Sequence, residues 1–291
     1  MLQQLVNGIV AGSVYALFAL GLTLVFGVLD ILNLAHAAVF MVAAFGALTL
    51  VQHGLPFVLA VVIAAIGAGM LGVIVDRIGF RPLRNRSDSN LSGLTSSIAI
   101  STIIGAVALG AFGPDISRYP GNSFPGNDFH LGPVTLSAVQ LIAIVVSVTM
   151  MGALAFFVTS TSFGRKLRAV AANPLAARVS GVHVEGVVAG TFFLSSMLGG
   201  LAGVMYGLLF NQISVQLGNA ILLKGLAVII VGGMASFVGA MAAGFLLGLV
   251  EVFTVQFIRS TWKDFAGYAL LFLILLARPQ GLFGRRPIRE I

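Results

Sequence analysis

Charge is scarce in this chain. Only 9% of its 291 residues are Asp, Glu, Lys or Arg, against roughly 25% in a soluble domain, whose surface must stay hydrated. The missing hydrated surface makes lipid the solvent for most of the chain. Cysteine is absent altogether, which excludes disulfides, thiolate chemistry and cysteine metal sites. Four histidines are present (His36, His53, His130 and His183), and no two lie at zinc-ligand spacing. No GxxxxGK[ST] loop occurs, so the chain has no phosphate cradle of that kind. The opening MLQQLVNG holds no Lys or Arg, so the first apolar segment is expected to be a retained helix rather than a signal peptide.

Hydrophobic residues make up 58% of the chain. Eight apolar segments stand out, at about 5–28, 33–51, 55–75, 92–112, 134–159, 186–210, 224–257 and 260–277. None alternates with the period of a barrel strand. Backbone groups left unpaired in lipid are costly, so long apolar segments must be helical. The seventh is too long for one span and is interrupted at VGGMASFVGA, residues 231–240, where it can split into two passes or a re-entrant pair. The expected fold is an all-α polytopic bundle of eight or nine transmembrane helices in a single domain over 1–291. No repeat of 20–50 residues is visible.

The net charge of +7 does not point to nucleic acid, because the basic residues form no continuous face. Arg77, Arg81, Arg84 and Arg86 follow the third segment. Arg165, Lys166, Arg168 and Arg178 follow the fifth, and Arg278, Arg285, Arg286 and Arg289 follow the last. These three clusters hold 12 of the 16 basic residues and are expected in the cytoplasm by the positive-inside rule. Parity between the last two requires the seventh segment to cross twice. The C-terminal tail, 278–291, is then cytoplasmic. The loop over 113–133, with four prolines and four glycines, is extracytoplasmic and irregular.

Polar residues inside spans are functional candidates because lipid penalises them. In FGVLDILNLAHAAVF, residues 26–40, Asp30, Asn33 and His36 recur every three residues and share a face if the stretch is helical. A break near Gly27 would expose backbone to a solute; the competing reading is a turn in which Asp30 caps the next helix. Glu251, deep in the seventh segment, needs a partner or water and is the fourth candidate for a translocation path. Lys224 is expected to snorkel to the outer interface. Glycines four apart (Gly8 and Gly12; Gly199, Gly203 and Gly207; Gly244 and Gly248) fit close helix packing in lipid.

The most specific feature is TSFGRKLRAVAANPLAARVSGVHVEGV, residues 161–187, a basic stretch between two apolar spans. Pro174 can open a helix. Ala176, Ala177 and Gly181 give AAxxxG, a small-residue face on which another protein can dock. This pattern resembles the core of the coupling loop of ABC permeases, at about 161–185 here, although Leu175 stands where that family has Glu and the later Ile-x-Leu-Pro is absent. NGIVAGSVYALFALGLTLVFGVLDILNLAHA (7–37), RAVAANPLAARVSGV (168–182), GGLAGVMYG (199–207), LKGLAVIIVGGMASFVGA (223–240) and LARPQGLFG (276–284), in that order, resemble the branched-chain amino-acid permeases. Ala37 departs from the glycine usual in that family.

The resemblance implies a bacterial inner-membrane permease subunit importing leucine, isoleucine and valine. It implies contact with the ATPase through Gly164, Arg165, Arg168, Asn173, Pro174, Ala176, Ala177 and Gly181. It implies as partners a second homologous permease, two ATPase subunits that bind the ATP, and a periplasmic binding protein. No cofactor is expected on this chain. Urea or a short amide is the alternative substrate. An ion-coupled carrier is the rival class, and it would show inverted repeats or several buried charges, neither of which is evident in the sequence.

Overall fold

The computed structural model describes residues 1–84, 89–120, 128–131 and 134–284. Arg86, Arg285, Arg286, Arg289 and the middle of the proline-rich loop lie outside the described residues. The chain folds into α1 (Leu2–Leu29), α2 (His36–Gln52), α3 (Phe57–Val75), α4 (Ser89–Phe112), α5 (Ala138–Ser160), α6 (Ser162–Ala172), α7 (Pro174–Val179), α8 (Val184–Phe210), α9 (Leu217–Gly232), α10 (Phe237–Phe257) and α11 (Lys263–Ala277). A π-helical turn, Asp76–Phe80, extends α3, and a two-stranded hairpin, β1 (Asp128–Leu131) with β2 (Val134–Ser137), precedes α5. Among the described residues, seven helical segments are long and apolar enough to cross a membrane, and α2 and α9 are shorter apolar helices. The protein is an all-α polytopic membrane protein. The long seventh apolar segment does split, at 233–236, between α9 and α10.

α1 is apolar all round and lies at the centre, buried from Val10 to Val25, as such a helix must be in a large bundle. It runs antiparallel to α10. Gln4 at its start bonds Gln256 at the end of α10, and Gly12 lies against Phe245 and Gly248. A side chain at Gly12 would enter the α10 backbone at 2.7 Å, so the spaced glycines set the separation of these two helices.

A structural repeat appears that the sequence does not show. Among the described residues, only Asp30 and Asn211 are non-glycine with positive φ, at 55° and 47°. Asp30 closes α1 and Asn211 closes α8. Each is followed by a short non-helical segment, then a short apolar helix, then two further helices. The two turns share their bonds. His36 N–H donates to Asn33 O and Leu217 N–H to Ser214 O, while Val39 N–H donates to Ala35 O and Ala220 N–H to Gln216 O. The units α1–α4 and α8–α11 exchange partners, α1 packing on α10 and α8 on α3. They enter from opposite faces, since α1 begins beside the hairpin (Gln3 with Thr135) and α8 ends beside the 113–120 segment (Asn211 with Tyr119).

Candidate translocation groove and docking helix

The two short helices start inside the bundle. At 17 and 16 residues, α2 and α9 are about 25 Å long, short of a bilayer core of about 30 Å. His36, the first residue of α2, packs its ring against Gly21, eight residues before the end of α1, and against Gly199 in the middle of α8. A side chain at Gly21 would lie 2.7 Å from the imidazole. The segment 30–35 has therefore turned back to about mid-depth. The start of α9 meets it there: Gly218 lies against Ala37 O and the Met41 side chain. From this centre α2 leaves toward the hairpin face, where Tyr119 O–H donates to Ala44 O at 3.3 Å and Phe45 stacks on Phe112 at 4.4 Å. α9 leaves toward the opposite face.

Beside this junction lies a cleft of about 340 Å³. Ala38 and Met41 of α2, Thr102 and Ala106 of α4, and Gln216 and Asn219 at the start of α9 line it. Thr102, Gln216 and Asn219 are exposed. Polar side chains open at membrane depth are costly in lipid and belong beside water, solute or another protein. The free face of α4 carries Thr95, Ala99, Thr102 and Ala106 in one stripe. α4 also exposes Ile98, Ile103 and Val107, as α3, α5 and α11 expose Met70, Phe156 and Phe272. The Thr95–Ala106 stripe is thus a narrow small and polar strip on an otherwise apolar free face.

The predicted Asp30–Asn33–His36 face does not form. Residues 30–35 are a turn rather than a helix, so spacing by three does not align them. Asp30 is exposed and ends α1 instead of capping α2. Asn33 and His36 are 3% and 0% exposed. Ser195 Oγ bonds Gly21 O at 2.7 Å and lies 3.4 Å from His36 Nδ1, and Phe18 covers the ring at 4.9 Å. Among the described residues, Asn33 Oδ1 and His36 Nε2 have no hydrogen-bond partner. His36 is lodged between α1 and α8, away from the cleft.

Glu251 is likewise inside, 3% exposed, and not in the cleft. It accepts from Lys224 Nζ at 2.6 Å and from Tyr15 O–H at 2.8 Å. Lys224 also reaches Asp264, at 3.0 Å. The expectation that Lys224 snorkels is wrong: it is 7% exposed, because the buried Glu251 and the exposed Asp264 compensate its charge.

The basic stretch after α5 forms two helices. Thr161 Oγ1 accepts from Gly164 N–H and caps α6. Arg165 is exposed, while Arg168 donates to the carbonyls of Val158 and Thr159 at the end of α5. Asn173 Oδ1 accepts from the N–H groups of Leu175 and Ala176, at 3.0 Å each, with Pro174 in the first turn. Gly181, at φ 81°, ends α7, where Val182 N–H returns to Ala177 O. Asn173, Pro174 and Gly181 thus shape α7. The expected small-residue face is split: Ala176 and Gly181 are exposed, but Ala177 is 4% exposed and packs inward. The outward face instead carries Leu175 and Val179, at 73% and 91% exposure.

Residues 4–275 match the family model described as the branched-chain amino acid transport system / permease component. The chain belongs to this family. It is 33% identical to the high-affinity branched-chain amino acid transport system permease protein BraD of Pseudomonas aeruginosa, over 100% of this chain and 98% of that one. It is 29% identical to the corresponding LivH protein of Escherichia coli K12, over 100% and 97%. Among solved structures it resembles PsaBC from Streptococcus pneumoniae in complex with Fab, with TM-score 0.53 and 13% identity over 95% of this chain and 92% of that one. At that identity the likeness concerns the fold alone.

Thr102, Gln216 and Asn219 of this permease carry no signal in the sequence that singles them out. Thr102 sits in an apolar segment, and Gln216 and Asn219 fall between two of them, resembling an ordinary loop. Only the inward turn after Asn211 brings the latter two to the cleft.

Proposed function

We propose that this permease is the membrane-spanning subunit of an ABC importer that carries leucine, isoleucine and valine across a bacterial inner membrane. The full-length match to branched-chain amino acid permeases carries this reading. The cleft supports it: apolar Ala38, Met41 and Ala106 suit an aliphatic side chain, and Thr102, Gln216 and Asn219 offer weak hydrogen bonds to a zwitterion. A second permease packs on the Thr95–Ala106 stripe of α4, closing the cleft into a path, because small residues let helices approach in lipid. Two ATPase subunits bind the ATP and dock on α7 through Leu175 and Val179. The basic clusters and the C-terminus face the cytoplasm, and a periplasmic binding protein delivers substrate on the hairpin face.

The ion-coupled rival is not removed by its expected marks, since an inverted repeat and a buried charge cluster are both present. Transport assays separate the readings. The permease pair, reconstituted with its ATPases and binding protein, should take up labelled leucine only with ATP. Urea uptake without leucine uptake would sink the amino-acid reading. Uptake without ATP that follows an ion gradient would sink the importer reading as well.

A further inference from the structure

The motif RPQGLFG, residues 278–284, has no role in the reading above. In the structure it grips the end of α9. Leu282 N–H donates to Val231 O at 2.7 Å and Phe283 N–H to Gly232 O at 3.1 Å. These are among the last carbonyls of α9, which a helix end leaves without intrahelical partners. The grip needs two glycines. Gly281 has φ 79°, and a side chain there would lie 2.6 Å from Ile230 O; Gly233 has φ 101°, and a side chain there would lie 2.7 Å from Gly284 N. Both left-handed conformations and both close approaches exclude larger residues.

The other end of α9 carries Gln216 and Asn219 into the cleft. That end is also anchored, because Ser117 and Ile213 exchange backbone bonds of 2.8 and 2.9 Å just before it. Between the two ends, Lys224 fixes the helix to α10 and α11. With only 16 residues held in one helix, α9 is a short stiff strut between the clasp and the cleft. A displacement at its clasped end therefore reaches Asn219.

We propose that the 278–284 segment is a positioning clasp for α9, setting where Gln216 and Asn219 stand in the cleft and relaying the nucleotide state of the docked ATPase to them. The inference rests on the importer reading. Its test uses Asn219→Cys as a reporter in a cysteine-free reconstituted complex, labelled with a water-soluble maleimide with and without ATP, and compares Gly281→Val, Gly233→Val and the milder Gly281→Ala. In the parent complex, labelling should change with nucleotide; if it does not, the path reading fails before the clasp is tested. In the valine variants the complex should assemble and hydrolyse ATP within about twofold of the parent, while uptake, measured without the reporter, falls by about tenfold or more. Labelling should lose its nucleotide dependence, with Gly281→Ala intermediate. Retained nucleotide-dependent labelling in the valine variants would overturn the clasp alone. Failure of all three variants to assemble would also overturn it, by making the segment a folding element only.

Discussion

Lys224 on α9 and Glu251 on α10 meet in an ion pair of 2.6 Å with both residues buried among helices. Tyr15 of α1 completes the carboxylate and Asp264 of α11 the ammonium. Four helices therefore converge on one cluster, and removing one charge strands the other. Glu251→Leu or Lys224→Met alone should cost about 3–5 kcal/mol, whereas the double variant should recover much of that loss. Thermal unfolding of the purified permease in detergent, as a double-mutant cycle, measures the difference. Additive losses would show that the pair is not coupled.

Val179 and Ala177 lie two residues apart on α7 with opposite exposure. Val179→Asp and Leu175→Asp should leave the permease folded and inserted while abolishing ATP-driven uptake. Ala177→Asp buries an unpaired charge and should fail through misfolding, at a cost of several kcal/mol. Size-exclusion profiles of the three variants beside uptake assays test this. Normal uptake in both Leu175→Asp and Val179→Asp would remove α7 as the docking site.

Asn219 and Thr102 face the cleft from α9 and α4. Asn219→Leu and Thr102→Val should leave thermal stability unchanged. Uptake should fall by about tenfold, equivalent to about 1.4 kcal/mol of lost stabilisation along the path. The decisive measurement is the rate of leucine uptake at saturating binding protein. Unchanged rates in both would place the path elsewhere.

Gly199 sits against the imidazole of His36. Gly199→Ala should destabilise by about 1–3 kcal/mol through overpacking. Because the ring is what the new methyl meets, His36→Ala should cost less in the Gly199→Ala background than in the parent. Equal costs, read from melting curves, would rule out the contact.

The absence of native cysteine permits clean sidedness tests. Ala172→Cys, at the exposed end of α6, should react only with reagent on the cytoplasmic side, and Asp115→Cys, exposed after α4, only from outside. The reverse pattern would invert the orientation and remove α7 from the reach of any ATPase.

The sequence by itself determined the class of the protein. Scarce charge and long apolar segments leave helices in lipid as the stable choice. The glycines at 232–233 marked the break between α9 and α10, and Pro174 marked the start of α7, through turn chemistry that acts over a few residues. What tertiary structure decided is everything that depends on direction. Asp30, Asn33 and His36 look like one helical face until the left-handed Asp30 turns the chain back into the bundle. Ala177 belongs to a docking face by spacing but to the core by orientation. Lys224 looks like an interfacial lysine until Glu251 and Asp264 arrive from later helices. Gln216 and Asn219 reach the cleft only because α9 begins at mid-depth. Periodicity records which residues share a helix face, but not which neighbour that face meets, and in a bundle apolar on nearly every side the neighbour decides whether a polar group is buried, paired or open to a solute.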